Sequence, residues 1–230
     1  MVAVLRRTFL SLPLFAATKN FPPRVIAHRG AHAGHPENSL AAVRAGIAMG
    51  VDYVELDVRT AADGTLVLKH DALAPGDTGL ARFDDALALL AEAKTDLYLD
   101  WKAATAEALV QSLRRHGMTG RAVVYGSVEK LAVLQKLDPA VRVMPEAVSV
   151  EHLQSVLSKL HPRVVAFDRR DFSDPVIAVA KAAQLDVYVD RLGADDNEAA
   201  WLDAWGRGAT GIQTDKPAEL LALLRREKRG

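Results

Sequence analysis

Val54-Glu-Leu-Asp-Val58, followed by Leu66-Val-Leu-Lys-His70, decides how this chain is folded. Both runs have the apolar, β-branched character of buried strand, yet both carry ionisable side chains, which a buried strand tolerates only for a reason. Thr60-Ala-Ala-Asp-Gly-Thr65 joins them without room for a helix, and Asp63-Gly64 is a tight-turn signal. The spacing predicts a hairpin in which opposed residue numbers sum to about 126, setting His70 beside Glu55 and Asp57.

Outward from this hairpin, short β-branched runs alternate with amphipathic ones. Val25 to His28, Tyr53 to Val58, Leu66 to His70, Leu97 to Trp101, Ala122 to Tyr125, Val141 to Met144, Val164 to Phe167 and Val187 to Val189 read as strands. Ser39 to Met49, Phe83 to Ala93, Ala104 to His116, Val128 to Leu137, Val150 to Leu160 and Pro175 to Ala183 read as helices. The repeated unit predicts an irregular TIM (β/α)8 barrel of one domain over residues 23–230, with an open doubly wound sheet as the alternative. Gly211-Ile-Gln-Thr214 is then a surplus extended run.

Composition agrees. Of the 230 residues half are apolar and a quarter charged, which suits a globular domain able to bury roughly 70 to 75% of its unfolded surface. The absence of cysteine excludes disulfides, thiolate metal sites and a cysteine nucleophile. Net charge is zero, and no basic patch invites nucleic acid.

Residues 1–22 hold Arg6, Arg7 and Lys19 and no acid, with an apolar run too short for a stable membrane span. Arg6-Arg7-Thr8-Phe9-Leu10 resembles a twin-arginine export signal, so a periplasmic or secreted location is expected, or a cytoplasmic one if the segment is an ordinary helix.

Side chains alternate along a strand, so Glu55 and Asp57 share a face with Leu56 turned outward, and Asp100 and Lys102 share a face with Trp101 turned outward. If those faces meet at the carboxyl ends of the strands, three carboxylates crowd together and need a cation. An all-oxygen set suits Mg²⁺ or Ca²⁺. His28 and His70 would flank that ion, one taking a proton while the other delivers one. Arg29 and Lys102 suit a phosphate. The combination describes metal-assisted cleavage of a small phosphodiester.

His28-Arg29-Gly30, Pro36-Glu37-Asn38-Ser39, Glu55-Leu-Asp57, Asp63-Gly64 and His70-Asp71, in this order and spacing, resemble the glycerophosphodiester phosphodiesterase family. The likeness is dense over residues 24–71 and thinner beyond, where Gly211-Ile-Gln-Thr-Asp-Lys-Pro217 is similar to the family's closing strand and turn. The resemblance implies an irregular TIM barrel hydrolysing glycerophosphodiesters to glycerol 3-phosphate and an alcohol. It further implies that His28 and His70 are general base and acid and that Glu55 and Asp57 are metal ligands.

Three departures stand out. The family's third ligand is usually glutamate in Glu-x-Lys, and here Asp100-Trp101-Lys102 offers a shorter acid. The inserted cap subdomain that commonly follows His-Asp is missing, because Ala72 to Gly79 leads straight to a helix. Asp190-Arg-Leu-Gly193 stands where the family has Trp-Thr-Val-Asn. These changes keep two other enzymatic readings open, a phospholipase D-like activity and the metal-free chemistry of phosphoinositide phospholipases. A barrel that only binds phosphorylated ligands is the non-enzymatic alternative.

Other residues have plainer readings. Asn38 is expected to cap the helix that follows, and Glu37 to orient the histidine or the arginine. His32 and His35 are expected on the rim of the strand-to-helix loop rather than in a zinc site. Trp201 and Trp205, four apart, are expected on a helix packed against the barrel.

Overall fold

The structure is a computed structural model and describes residues 21–228. The segment read as an export signal therefore lies almost entirely outside the described residues, and no helix among them is long and apolar enough to cross a membrane.

Strand β1 (Arg24–Ala27) leads to helix α1 (Leu40–Met49), and β2 (Tyr53–Thr60) to the short β3 (Leu66–Leu68) and α2 (Phe83–Ala93). There follow β4 (Asp96–Ala103), α3 (Ala106–Arg115), β5 (Ala122–Tyr125), α4 (Val128–Leu137), β6 (Arg142–Met144) and α5 (Val150–Lys159). The chain ends with β7 (Val164–Phe167), α6 (Asp174–Ala182), β8 (Asp186–Asp190), α7 (Glu198–Arg207), β9 (Gly211–Thr214) and α8 (Pro217–Glu227).

Parallel pairing runs in the order β6, β5, β4, β2, β1, β9, β8, β7. Beyond β6 a bridge between Glu146 and Ala166 brings the ends of this sheet together, with Ala147 N donating to Ala166 O at 2.8 Å and Ala166 N to Pro145 O at 3.0 Å. The chain is therefore a nearly closed barrel of eight parallel strands in one domain, a TIM barrel, and the open sheet is set aside. The surplus strand is β3, because Gly211–Thr214 pairs with both β1 and β8 and completes the ring.

The barrel has two apolar layers, as alternation requires. Ile26, Tyr53, Tyr98, Val123, Met144, Val164, Ala166 and Tyr188 fill the interior. Leu56, Leu97, Leu99, Trp101, Val124 and their neighbours pack outward against the helices. Trp101 is held there by its indole N–H to Ala104 O at 3.0 Å, with the Lys130 ammonium 5.3 Å from the ring centre. Trp201 packs on α7 as its spacing suggests.

The hairpin has the expected register, Val58 opposite Leu68 and Thr60 opposite Leu66. Gly64 turns it at φ +85°, and Thr65 N donates to Asp63 Oδ1 at 2.9 Å. After His70 the chain reaches α2 through residues 71–82 with no inserted subdomain.

Candidate active site

The first element of the site is the turn after β1. Gly30 has φ +83°, and a Cβ there would lie 2.7 Å from Ala42 Cβ, so only glycine lets α1 pack this closely. The turn points Arg29 N at Glu55 Oε2, 2.7 Å away. Arg29 itself takes φ +51°, and its guanidinium reaches Glu37 at 2.8 Å and Asp57 at 3.5 Å. Glu37 thus orients the arginine rather than a histidine.

Asn38 is not the helix cap. Ser39 caps α1, accepting from Ala42 N at 3.1 Å, while Asn38 turns inward at φ +55°. Its Nδ2 donates to Asp57 Oδ2 at 2.7 Å and its Oδ1 accepts from Asp57 N at 3.0 Å. The reason is burial. Asp57 is 1% exposed, and a carboxyl group at that depth needs hydrogen-bond partners, whereas Ser39 already caps the helix.

Strands β2 and β4 pair with Asp57 opposite Asp100, and Glu55, Asp57 and Asp100 each bring a carboxylate oxygen within 4.8 Å of the others. Burial, then the Asp57 and Asp100 charges, raise the Glu55 pKa well above its ordinary value. Asp100 is also raised by burial, against the pull of Lys102. Lys102 Nζ lies 2.7 Å from Asp100 and 3.3 Å from Asp57; burial works to lower its pKa, but these carboxylates carry it above the usual lysine value. A crowded all-oxygen donor set of this kind fits a hard divalent ion.

His28 and His70 open onto the same cavity of about 280 Å³ as the three acids, Arg29 and Lys102. Each histidine has its Nδ1 on a carboxylate, His28 on Asp215 at 2.7 Å and His70 on Asp71 at 2.9 Å. That leaves Nε2 of each as the nitrogen available to a substrate. Arg59 donates to the carbonyl of His70 at 2.6 Å and fixes the end of the hairpin.

Several contributors escaped the sequence reading. Asp215 also accepts from His32 Nε2 at 3.0 Å, so the loop histidine shares the carboxylate that holds His28. Together these three residues form a second group whose ligand atoms lie within 4.8 Å of one another. The two histidines hold the Asp215 pKa down to about 2. Asp196, 2% exposed, accepts from Asp215 N at 2.8 Å and from the Trp201 indole at 3.0 Å, and so fixes the turn. Glu146, Asp168, Asp190, Tyr98, Tyr125 and Gln213 also line the cavity. Burial, followed by Asp168 and Asp100, pushes Asp190 up to about 7. Inward parity on the later strands was the available signal, since Asp190 follows the inward Tyr188 by two and Gln213 follows Gly211 by two.

Fold and site define a class: a TIM barrel whose ionisable groups gather at the carboxyl ends of its strands. Residues 28–85 match the model of the Glycerophosphoryl diester phosphodiesterase family, and the resemblance read from the sequence holds. Over 49 residues the chain is 53% identical to the probable glycerophosphodiester phosphodiesterase 1 of Mycobacterium tuberculosis, covering 21% of this chain and 18% of that protein. Over 47 residues it is 49% identical to the glycerophosphodiester phosphodiesterase of Caldanaerobacter subterraneus, covering 20% and 19%. The matched stretch thus spans about a fifth of the curated relatives it matches. The likeness in fold is wider. The crystal structure of glycerophosphodiester phosphodiesterase from Agrobacterium tumefaciens superposes with a TM-score of 0.75 at 23% identity, over 87% of this chain and 99% of that one. An Oleispira antarctica phosphodiesterase in complex with the product sn-glycerol-3-phosphate gives 0.75 at 20% identity, over 88% and 97%.

Proposed function

We propose that the protein is a metal-dependent phosphodiesterase that hydrolyses glycerophosphodiesters to glycerol 3-phosphate and an alcohol. The observation that carries this reading is the meeting of Glu55, Asp57 and Asp100 with His28 and His70 at one cavity. The family model matched over residues 28–85 and the names of the relatives matched over 49 and 47 residues support it.

In this reading Glu55, Asp57 and Asp100 hold a divalent ion, Mg²⁺ or Ca²⁺. When bound, the ion adds positive charge beside the phosphoryl oxygens. Arg29 and Lys102 orient the phosphate, with Glu37 and Asp57 keeping the guanidinium in place. As an oxygen nucleophile attacks phosphorus, His28 takes its proton at Nε2, and the bond to the leaving alcohol breaks as His70 Nε2 delivers a proton to the alkoxide. Asp215 and Asp71 keep each ring in the orientation that presents Nε2. A cyclic phosphate seen by phosphorus NMR assigns the attack to the substrate's own glycerol hydroxyl, and its absence assigns it to water.

The test is a screen of glycerophosphodiesters with and without EDTA. Turnover that chelator abolishes and Mg²⁺ or Ca²⁺ restores is expected, and no turnover with any diester and either ion overturns the reading. A metal-free course is favoured by one contact, Lys102 Nζ between Asp100 and Asp57, and full activity in EDTA selects it. We further propose export by the twin-arginine route; an Arg6→Lys/Arg7→Lys variant that still leaves the cytoplasm removes that proposal.

A further inference from the structure

The cavity has two unlike walls. On one, Arg29 and Lys102 stand among the three convergent acids. On the other, the ends of β6, β7 and β8 bring Glu146, Asp168 and Asp190 to the same space, which Tyr98 and Tyr125 also line. Asp168 is neutralised by Arg170 at 2.8 Å. Among the described residues neither Glu146 nor Asp190 has a cationic side chain within 4 Å, so two carboxylates face the cavity without an ion pair. These three acids, among the described residues, do not form a set closing to within 4.8 Å as Glu55, Asp57 and Asp100 do.

A second observation is independent of charge. Gln213 is 6% exposed, lines this cavity opposite Asp190 in the strand register, and its Oε1 accepts no hydrogen bond. Its side chain shares the inward face of Gly211, where an added Cβ would meet the Tyr188 ring at 2.6 Å. A buried amide oxygen without a donor carries an uncompensated desolvation penalty, and rotation about the last side-chain torsion turns it toward whatever fills the cavity. The rings of Tyr98 and Tyr125, 6.3 Å apart, add faces that attract a cation. Burial, and then carboxylates from both walls, Asp190 and Asp100 on Tyr98 and Glu146 and Asp100 on Tyr125, raise the pKa of both phenols.

We infer that this wall is a subsite for a small alkylammonium group, a primary ammonium above all, on the alcohol half of the substrate. The inference rests on the phosphodiesterase reading and names its substrate class. Phosphate lies toward Arg29 and Lys102, and the ammonium lies between Asp190 and Glu146, donating to Gln213 Oε1. A neutral polyol would leave both carboxylates unpaired, and an anionic group would be repelled.

The experiment compares kcat/KM for glycerophosphoethanolamine, glycerophosphocholine and glycerophosphoglycerol. Ethanolamine is expected first, choline, which has charge but no N–H, second, and glycerol last, with the outer two about tenfold or more apart. Asp190→Asn and Glu146→Gln, two variants that need not fail together, should each shrink the ethanolamine-to-glycerol ratio about fivefold. A wild-type ratio near one, or a ratio unmoved in both variants, overturns the subsite. Turnover of none of the three overturns the phosphodiesterase reading instead. Calorimetric binding of the same diesters then decides the subsite, which stands if the ethanolamine diester binds tighter than the glycerol diester and falls if it does not.

Discussion

His28 and Asp215 are 187 residues apart in sequence, and His28 Nδ1 lies 2.7 Å from Asp215 Oδ1. The carboxylate stays ionised down to about pH 2 because His28 and then His32 donate to it. Asp215→Asn should therefore lower kcat by about 10- to 100-fold with little change in KM, and displace the acidic limb of the pH–rate profile. The contact also bears on stability. A carboxyl with a depressed folded pKa stabilises the fold above its unfolded value near 4, and that contribution fades as pH falls from about 4 to 2. With the group partly exposed, the wild-type advantage over the variant in urea unfolding should be of order 1 kcal/mol at pH 6 and be mostly lost by pH 2. An unaltered rate profile would show that Asp215 has no part in the reaction and only ties His28 and His32 together.

Removing either free imidazole nitrogen should be costlier. His28→Ala and His70→Ala are each expected to reduce kcat by about 10² to 10⁴, the usual range for a lost general acid or base. If both variants keep near wild-type turnover, neither histidine moves a proton in the reaction.

Crowding of the three acids makes metal binding visible without any activity. Because burial and the neighbouring carboxylates raise the Glu55 pKa, the metal-free protein loses stability as pH rises above the ordinary carboxyl range near 4.3. Added Mg²⁺ or Ca²⁺ should raise the Tm, and by more at pH 8 than at pH 5. Glu55→Gln should remove most of this response while raising the Tm of the metal-free protein. A Tm indifferent to both ions at both pH values would count against a metal at this site.

Asn38 tests the support beneath Asp57. Asn38→Ala loses both hydrogen bonds to Asp57 and puts at φ +55° a residue that tolerates the left-handed region less well than asparagine, and should cost about 2 to 4 kcal/mol in chemical denaturation. Asn38→Gly relieves the backbone but not the hydrogen bonds, so it should recover about 1 kcal/mol of that loss and none of the lost activity. Equal stability of Asn38→Ala and wild type would mean that Asp57 has another donor.

Much of the site was legible because its signals are local. Alternation along a strand is a property of the backbone, so the inward face of Glu55, Asp57, Asp100 and Lys102 could be read without knowing what lies opposite. The short connection through Asp63-Gly64 likewise fixed the hairpin register that delivers His70. Asn38 misled for the opposite reason: a cap signal is local, but the residue was claimed by a buried carboxylate on another strand.

The amino-acid order alone determined the repeating strand and helix unit, the inward acids and the histidines at strand ends, all set by interactions over a few residues. Tertiary structure alone decided which groups meet across the mouth: Asp215 with His28 and His32, Asp196 beneath it, and Glu146 near Asp190 through closure at Ala166. Those pairings depend on ring closure, which brings the ends of strands distant in sequence to one rim, and no local pattern encodes that distance.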